Sequence, residues 1–260
     1  MKFSKSLIGI AAFAAVSVAN AGPILIVSGL SQTSEVGTTT AVMNNLQALQ
    51  VAAGNTVTIL DTLPVNLAPY SQVWDIRFDN VSALTGAEQA KYTSYLQSGG
   101  GLFLMGENSS FLTRDNSILS LISSLGGGSI GFNGCFDGPE VVHAPFTGPN
   151  PVTTVTYAAS GCFTSKGSGA WITARADESM GAGIAFGVGS LSNAIAGALT
   201  TILDVNFMMN QFDLPASQNL TKNLIQFVGN QVNPVPEPGI LALLGIAAVG
   251  AGLTRKRKSS

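Results

Sequence analysis

A helix that leads through a glycine turn into an apolar strand is the feature that most constrains the fold of this chain. Residues 85–88, Thr-Gly-Ala-Glu, form a capping-box pattern and predict a helix over residues 87–97. Three glycines, 99–101, end that helix, and the apolar run 102–105 predicts a strand buried on both faces. A helix joined directly to a fully buried strand is typical of α/β proteins.

The residues before this unit show the same alternation of strand and helix. Apolar and β-branched runs predict strands at residues 23–28, 56–60 and 73–78. A helix is predicted from about Thr39 to the break at Gly54. This spacing predicts a doubly wound, flavodoxin-like α/β sheet.

The second half of the chain has a less regular pattern. Residues 126–165 are rich in Gly, Pro and Asn and predict an irregular insertion. Further elements are predicted as strands at residues 152–157, 170–173, 183–188 and 199–205, and as a closing helix at residues 217–228.

The N-terminus has the three parts of a secretory signal peptide. Two lysines precede an apolar stretch, which ends in a small-residue triplet from Ala19 to Ala21. Signal peptidase is expected to cut between Ala21 and Gly22, which makes residues 1–21 a signal peptide and residues 22–230 an exported domain. An uncleaved anchor helix is the alternative, but the apolar run is shorter than the ~20 residues that a membrane span needs.

The predicted exported domain is acidic. Residues 22–230 contain six Lys and Arg against thirteen Asp and Glu, which gives a net charge of −7. Nucleic-acid binding needs clustered Lys and Arg that displace counterions, so this composition excludes a nucleic-acid-binding protein.

Cys135 and Cys162 are the only cysteines in the sequence, and both lie in the exported domain. An even number of cysteines in an oxidising compartment predicts a disulfide between them. Two free buried thiols or a catalytic cysteine are the alternatives. The lone His143 has no obvious pairing with either cysteine, which disfavours catalysis.

The C-terminal segment predicts a short membrane span behind a stiff linker. Residues 231–238 contain prolines that hold the chain extended and stop any helix from continuing out of the domain. Residues 239–254 carry no charge, but a helix over 239–253 would reach only ~22 Å, short of a ~30 Å hydrocarbon core. The basic tail, residues 255–260, is predicted to stay cytoplasmic by the positive-inside rule.

A Pro-Glu-Pro step, a short apolar span and a terminal basic cluster, in this order, resemble the PEP-CTERM sorting signal. The resemblance implies recognition by exosortase, a membrane-embedded cysteine transpeptidase-like enzyme that cuts near the motif and releases or re-anchors the protein at the cell surface. It also implies a Gram-negative host that makes exopolysaccharide, which becomes an expected partner. An ordinary membrane anchor with a proline-rich stalk is the alternative. The residues that carry the resemblance are Val235, Pro236, Glu237, Pro238, Arg255, Lys256, Arg257 and Lys258.

The helix, glycine turn and strand of residues 95–109 resemble the centre of class I glutamine-amidotransferase-like domains, and the similarity is diffuse over residues 23–229. In that family the turn after the central strand presents a cysteine, which a histidine on a later loop activates. Here the turn carries Glu107 and Asn108 without a cysteine, and His143 lies in the predicted insertion. The resemblance therefore implies the fold without glutamine hydrolysis, and a generic flavodoxin-like sheet is the alternative.

Polar residues follow several predicted strands, and open α/β sheets bind ligands at such strand ends. We call this edge of the sheet the strand-end rim. Glu107, Asn108 and Asp79 are its catalytic candidates, with Asn80 and the loop 31–35 beside them. Two roles are open for Glu107: a buried general base, or an acceptor of hydrogen bonds from helix-terminal amides.

A cation site and a cofactor site have weaker sequence support. Three carboxylates could be interpreted as cation ligands: Asp61, Asp79 and Glu107. Their spacing in the sequence does not match that of a known metal-binding motif, so no metal is predicted. The glycines at 99–101 precede a strand instead of opening a helix. The sequence therefore has no phosphate-binding loop or Rossmann fingerprint, and no cofactor is predicted.

Two groups of side chains have both a functional and a structural interpretation. Ser109 and Ser110 lack the Gly-x-Ser-x-Gly spacing of a hydrolase and are expected to cap a helix near residues 108–112. Aromatic side chains in strand runs are more often core residues than platforms for sugar rings. The aromatic residues in question are Tyr157, Phe163 and Trp171.

These patterns predict an exported protein of the cell surface or extracellular matrix with a non-catalytic binding or structural role. The first alternative is a hydrolase or transferase that acts on envelope glycans or peptides through Glu107 and the rest of the strand-end rim. The second is a carbohydrate-binding module, which would need exposed coplanar aromatic residues.

Overall fold

A computed structural model describes residues 23–135, 138–209 and 213–232. The predicted signal peptide with its cleavage point, the sorting motif, the short transmembrane segment at 239–254 and the basic tail lie outside the described residues.

A nine-stranded mixed sheet forms the centre of the described structure, with strand order β2-β1-β3-β4-β11-β10-β9-β6-β7, and β5 pairs with β8 in a small second sheet. The strands are β1 Pro23–Val27, β2 Thr56–Leu60, β3 Gln72–Asp75, β4 Gly101–Gly106, β5 Phe132–Gly134, β6 Gly138–Val142, β7 Thr154–Tyr157, β8 Gly161–Phe163, β9 Ala170–Ala174, β10 Gly183–Phe186 and β11 Ala198–Leu203. The helices are α1 Val36–Ala52, α2 Gly86–Gln97, α3 Leu112–Ser124 and α4 Ala216–Val232.

The first five strands of this order, which we call the parallel half, run parallel to one another. Helices cover both of its faces, because α1 and α4 contribute to one hydrophobic cluster while α2 and α3 contribute to the other. The predicted α/β class with a central sheet is therefore confirmed.

The remaining strands, β10, β9, β6 and β7, continue the sheet as antiparallel neighbours. With the small β5–β8 sheet they make what we call the antiparallel half. The segment 126–165, predicted as an irregular insertion, contains β7 where a strand was predicted and three strands that were not predicted, and β6 and β7 extend the main sheet. Glycines and a proline lie inside the three strands that were missed, at Gly134, Gly138, Pro139 and Gly161. These residue types have low strand propensity, so local propensity does not reveal strands that tertiary pairing stabilises.

The predicted helix–turn–strand unit is confirmed in detail. The side chain of Thr85 accepts a hydrogen bond from the Glu88 N–H, and the Glu88 carboxylate accepts one from the Thr85 N–H. The glycines that follow are required, because Gly99 has a φ of +91° and a Cβ at Gly100 would lie 2.3 Å from the ring of Tyr95. Chain geometry and packing therefore fix this turn together.

Several predicted boundaries differ from the structure, and three of them bear on the rim or the linker. Helix α1 begins at Val36, before the predicted start at Thr39. Strand β3 ends at Asp75 rather than at residue 78, because the Asp75 carboxylate accepts the backbone N–H of Arg77 and turns the chain. Helix α4 runs to Val232, into the first two residues of the predicted linker.

None of the helices that the structure describes is both long enough and apolar enough to cross a membrane.

Candidate functional site

The strand-end rim is the edge at which β1, β3, β4 and β11 end together, since these strands are parallel. Asp79 follows β3, Glu107 and Asn108 follow β4, and Asp204 follows β11. The predicted catalytic candidates therefore do meet at one edge of the sheet. The structure adds Asp204, which the sequence analysis had assigned to the interior of a strand.

Glu107 lies beneath the rim and is not open to a ligand, since its residue is only 2% exposed. Its Oε1 accepts a hydrogen bond from the Val205 N–H at 3.0 Å, and its Oε2 accepts one from the Asn108 N–H at 2.6 Å. Strand β8 lies directly above, because a Cβ at Gly161 would be 2.5 Å from the carbonyl oxygen of Glu107. The rim is filled around its central carboxyl group.

Two further buried carboxyl groups, those of Asp204 and Asp115, lie near Glu107 and contribute to raising its pKa. Burial, then repulsion from Asp204, raises the pKa of Glu107 to about 8. Burial raises the pKa of Asp115, in α3, to about 7, although it accepts the Glu107 N–H. Burial raises the pKa of Asp204 to about 6, although hydrogen bonds from several backbone N–H groups lower it. Sequence reasoning missed Asp115 because the helix expected near residues 108–112 was not followed as far as this position.

Asp79 positions the loops around the rim. Its Oδ2 accepts hydrogen bonds from the backbone and side chain of Ser34, both at 3.2 Å, and its Oδ1 accepts the Val81 N–H at 3.2 Å. This carboxylate therefore caps a short 3-10 turn and fixes the loop 31–35.

Asparagine side chains, rather than the predicted serines, cap the helical turns at the rim. Asn108 accepts the Ser110 N–H at 2.9 Å, and Asn80 accepts the Thr113 N–H at 3.0 Å at the start of α3. The prediction that Ser109 and Ser110 supply the cap was therefore wrong. The side-chain oxygen of an asparagine reaches the same backbone N–H groups that a serine hydroxyl would cap. The Asn80 side chain also joins two loops, because its amide nitrogen donates to the Ser110 carbonyl.

The three carboxylates considered as cation ligands bind protein groups instead. Asp61 accepts the backbone N–H of Ser31 at 3.0 Å and also its hydroxyl, while Asp79 and Glu107 accept the amides described above. Across residues 23–135, 138–209 and 213–232, the one group of three side chains with metal-ligand spacing is Cys135, Glu140 and Cys162.

His143 lies far from Glu107, so the two do not form an acid–base pair. It follows β6, and β6 lies four positions from β4 in the sheet, which at ~4.8 Å per strand separates them by roughly 19 Å. Its Nδ1 lies 3.9 Å from a carboxylate oxygen of Glu178.

A buried ion-pair network lies below the rim and was not predicted. The Asp75 carboxylate accepts two hydrogen bonds from the Arg77 guanidinium, pairs with Arg114 at 3.0 Å and accepts the Tyr92 hydroxyl at 2.8 Å. Burial would raise the pKa of Asp75, but Arg114 and Arg77 outweigh it and hold that pKa well below its usual range. Arg114 also donates to the carbonyls of Met105 and Ser82, so the network ties α3 to β4.

The aromatic residues considered as a sugar platform belong to the core. Tyr157, Phe163 and Trp171 are all buried, and the Tyr157 hydroxyl is paired with Thr173 at 2.9 Å. Their interpretation as core residues is confirmed.

Cys135 and Cys162 form the predicted disulfide, with the Cα atoms 5.3 Å apart. It joins the end of β5 to β8, the strand that covers Glu107. The disulfide therefore cross-links the two strands of the small sheet that packs against the rim.

A cavity of about 410 Å³ lies beside α2 and not at the rim. The loop after β2 and the outer face of α2 line it, with Leu67, Ala90 and Tyr95 among the lining residues. None of the predicted site residues takes part.

Comparison with solved structures shows the fold. The chain is similar to the mmIFT52 N-terminal domain, with a TM-score of 0.59 and 14% identity over 79% of this chain and 96% of that one. It is similar to a putative ThuA-like protein from Bacteroides uniformis, with a TM-score of 0.52 and 14% identity over 80% and 90% of the two chains. The chain therefore has a mixed α/β fold with a ThuA-like neighbour among solved structures. The ThuA-like fold of that neighbour is related to the glutamine-amidotransferase-like fold, but the predicted glutamine-amidotransferase-like fold is not confirmed for this chain.

A third similar structure is the exo-beta-1,4-mannosidase Op5Man5 from Opitutaceae bacterium strain TAV5, with a TM-score of 0.51 and 10% identity. The match covers 79% of this chain and 35% of the mannosidase, so the likeness concerns one part of that enzyme. No curated protein matches the sequence.

The family comparison identifies a PEP-CTERM protein-sorting motif at residues 234–258. This match contains the Pro-Glu-Pro step, the apolar stretch and the basic cluster on which the sequence prediction was based. It supports an exported protein that exosortase processes in the cell envelope.

Proposed function

We propose that this chain is a non-enzymatic protein of the cell surface or extracellular matrix, whose α/β domain has a binding or structural role in an envelope that contains exopolysaccharide. The filled strand-end rim is the observation that carries the proposal. Glu107 is buried under β8, and each of its carboxyl oxygens accepts a backbone N–H. A residue in that position stabilises the turn between β4 and α3.

The chemistry of the rim supports the same conclusion. A general base needs a free lone pair within hydrogen-bonding distance of a substrate proton, and a nucleophile needs such a base beside it. Among the described residues, Asp79 and Asn108 are occupied in capping, and His143 lies on the far side of the antiparallel half. These positions supply no nucleophile with a base next to it.

We propose that the sorting steps follow the predicted order. Signal peptidase removes residues 1–21, the segment 239–254 holds the chain briefly as a single-pass intermediate, and exosortase cuts near Pro236–Pro238. Intact-mass measurement of the protein from its native host tests this order. A mature product without Arg255 to Lys258 is expected, and a product that retains them would contradict processing.

The test of the non-catalytic role is complementation by a Glu107→Gln variant. This change keeps the shape of the side chain and one of its two acceptor oxygens, so one backbone hydrogen bond is lost, and it removes a carboxyl group that could transfer a proton. In a host that lacks the chain, the variant is expected to restore cell-associated exopolysaccharide as well as the natural sequence does. A Pro236→Ala, Pro238→Ala variant is the control, since it disrupts sorting and leaves the domain unchanged.

A hydrolase or transferase that acts on envelope glycans is the second candidate, and one observation favours it. With a pKa of about 8, Glu107 is protonated at neutral pH, as the general acid of a glycoside hydrolase is. Loss of complementation by a correctly folded Glu107→Gln protein would therefore establish this candidate and overturn the non-catalytic role.

A further inference from the structure

Glu140 is a buried carboxyl group that the rim does not use, and it faces the disulfide. Its Oε1 lies 3.6 Å from Sγ of Cys135 and 3.5 Å from Sγ of Cys162. Its Oε2 accepts the Ala182 N–H at 2.9 Å, which fixes the orientation of the carboxyl group. Both sulfur atoms therefore share one carboxyl oxygen as a neighbour.

The two cysteines differ in access to solvent. Cys162 lies in β8 and is fully buried, whereas Cys135 is only partly buried. An attacking thiolate must approach the sulfur that it can reach, so it would bond to Cys135 and release Cys162 as the leaving group. A thiolate released in the interior needs a proton, and Glu140 is the adjacent group that can carry one.

We propose that Cys135, Cys162 and Glu140 form a thiol–disulfide exchange site, in which Glu140 protonates the buried sulfur of Cys162 when an external dithiol reduces the disulfide. This activity is additional to the surface role proposed above and does not depend on it.

The exchange balances as a two-electron reduction. A thiolate of the dithiol bonds to Sγ of Cys135, and the electron pair of the broken S–S bond passes to Sγ of Cys162. The proton on Oε1 of Glu140 then moves to that sulfur. The second thiolate of the dithiol displaces Cys135, which takes a proton from solvent, and Glu140 is reprotonated by solvent. The dithiol leaves as a disulfide.

The surroundings of Glu140 keep a proton available for this step. Burial raises the pKa of Glu140, and repulsion from Asp204 adds to the rise. Hydrogen bonds from the Ala182 N–H and the Thr173 hydroxyl, together with the charge of Arg175, lower that pKa by less than burial raises it. Tyr157 also lies close and stays neutral, since burial and the Glu140 charge raise its pKa well above its ordinary value. The carboxyl group therefore holds its proton above the pH at which an exposed glutamate loses it.

The test measures the rate at which dithiothreitol reduces the oxidised protein purified from its native host. Reduced thiols are alkylated and counted by mass, and each rate is divided by the fraction of reagent present as thiolate. At pH 6 the rate for a Glu140→Gln variant is expected to be about tenfold lower than for the natural protein, because glutamine cannot deliver a proton. Glu178→Gln, a half-exposed glutamate away from the disulfide, is the control and should leave the rate unchanged.

The pH profile separates proton delivery from a purely structural role. The thiolate-normalised rate of the natural protein is expected to fall as pH rises and Glu140 loses its proton, while the rate of the Glu140→Gln variant stays flat. Equal rates for the two proteins at pH 6 would overturn the proposal. If the variant does not fold, a flat profile for the natural protein alone would overturn it.

Discussion

The two halves of the sheet differ in how their strands are connected. In the parallel half, α1 joins β1 to β2 and α2 joins β3 to β4, so each strand, its helix and the next strand are close in sequence. In the antiparallel half, most strands pair directly with their neighbour in sequence and no helix lies between them, as in the β9–β10 and β10–β11 pairs. Strand β5 instead skips β6 and β7 to pair with β8, and this small sheet folds back over the rim. The parallel half thus forms the rim where relatives of this architecture bind ligands, and the antiparallel half covers it.

The largest expected effect is in the parallel half, where an Asp75→Asn substitution removes the acid that two buried arginines share. Arg77 and Arg114 would remain buried without an anionic partner at that point, so we expect a loss of about 3 to 5 kcal/mol in the free energy of unfolding. Denaturant unfolding measures it.

Glu88→Gln is the matched control for that change. Glu88 pairs with Arg77 at the more solvent-exposed end of the network, and glutamine preserves the capping box, so the cost should be below about 1 kcal/mol. Equal losses for the two variants would show that the network is not anchored at Asp75.

The next largest effect is expected in the antiparallel half, when Cys135→Ser and Cys162→Ser remove the disulfide. The cysteines are 27 residues apart, which corresponds to about 3 to 4 kcal/mol in the chain-entropy model. Hydrogen exchange should also accelerate at the Val205 amide beneath the cover. Unchanged protection at Val205 would mean that the cover does not depend on the disulfide.

Stability should fall as pH rises from about 5 to 8, and the buried carboxyl groups of the rim set the sign. The pKa of Glu107 rises from 4.5 to about 8 on folding and that of Asp204 from 3.8 to about 6, so the native state binds more protons than the unfolded state in this range. The loss should be on the order of 4 kcal/mol, most of it from Glu107, measured by denaturant unfolding at each pH. Asp75 does not contribute, because its lowered pKa stabilises the native state throughout this range.

Glu107→Gln tests whether that slope arises at the rim. The variant should lose a large part of the pH dependence, because glutamine does not titrate. A slope equal to that of the natural protein, or stability that rises between pH 5 and 8, would contradict a protonated Glu107 in the native state.

The smallest expected effect concerns the cap of α2. Thr85→Ala removes the oxygen that accepts the Glu88 N–H and should cost about 1 kcal/mol. Thr85→Ser keeps that oxygen and should cost only a fraction of this amount. A Thr85→Ser protein as unstable as Thr85→Ala would assign the effect to the lost methyl group instead of the cap.

Local signals explain why the parallel half could be predicted. The capping box at Thr85, the glycines that end α2 and the apolar run of β4 lie within about twenty residues of one another. Each constrains its neighbour, so element type and order follow from the sequence. Only the boundaries shifted, as at Asp75, where a side-chain hydrogen bond to the backbone ended a strand that its apolar pattern would continue.

The filled rim could not be predicted, because its cover is built from distant parts of the chain. Gly161 contacts the backbone at Glu107 across more than fifty positions, and Asp204 reaches the same site from β11. The sequence placed Glu107 directly after β4, as the structure has it, whereas Asp79 lies beyond the end of β3 at Asp75. It could not show that backbone amides satisfy both carboxylates, since that depends on loop geometry set by the tertiary fold.

The most direct test of the filled rim is a carbon-13 NMR titration of the Glu107 side-chain carboxyl, with its resonance assigned from the Glu107→Gln spectrum. A carboxyl group buried beneath β8 predicts a midpoint near pH 8. A midpoint near the ordinary glutamate value of about 4.5 would show that water reaches Glu107 and that the rim is open.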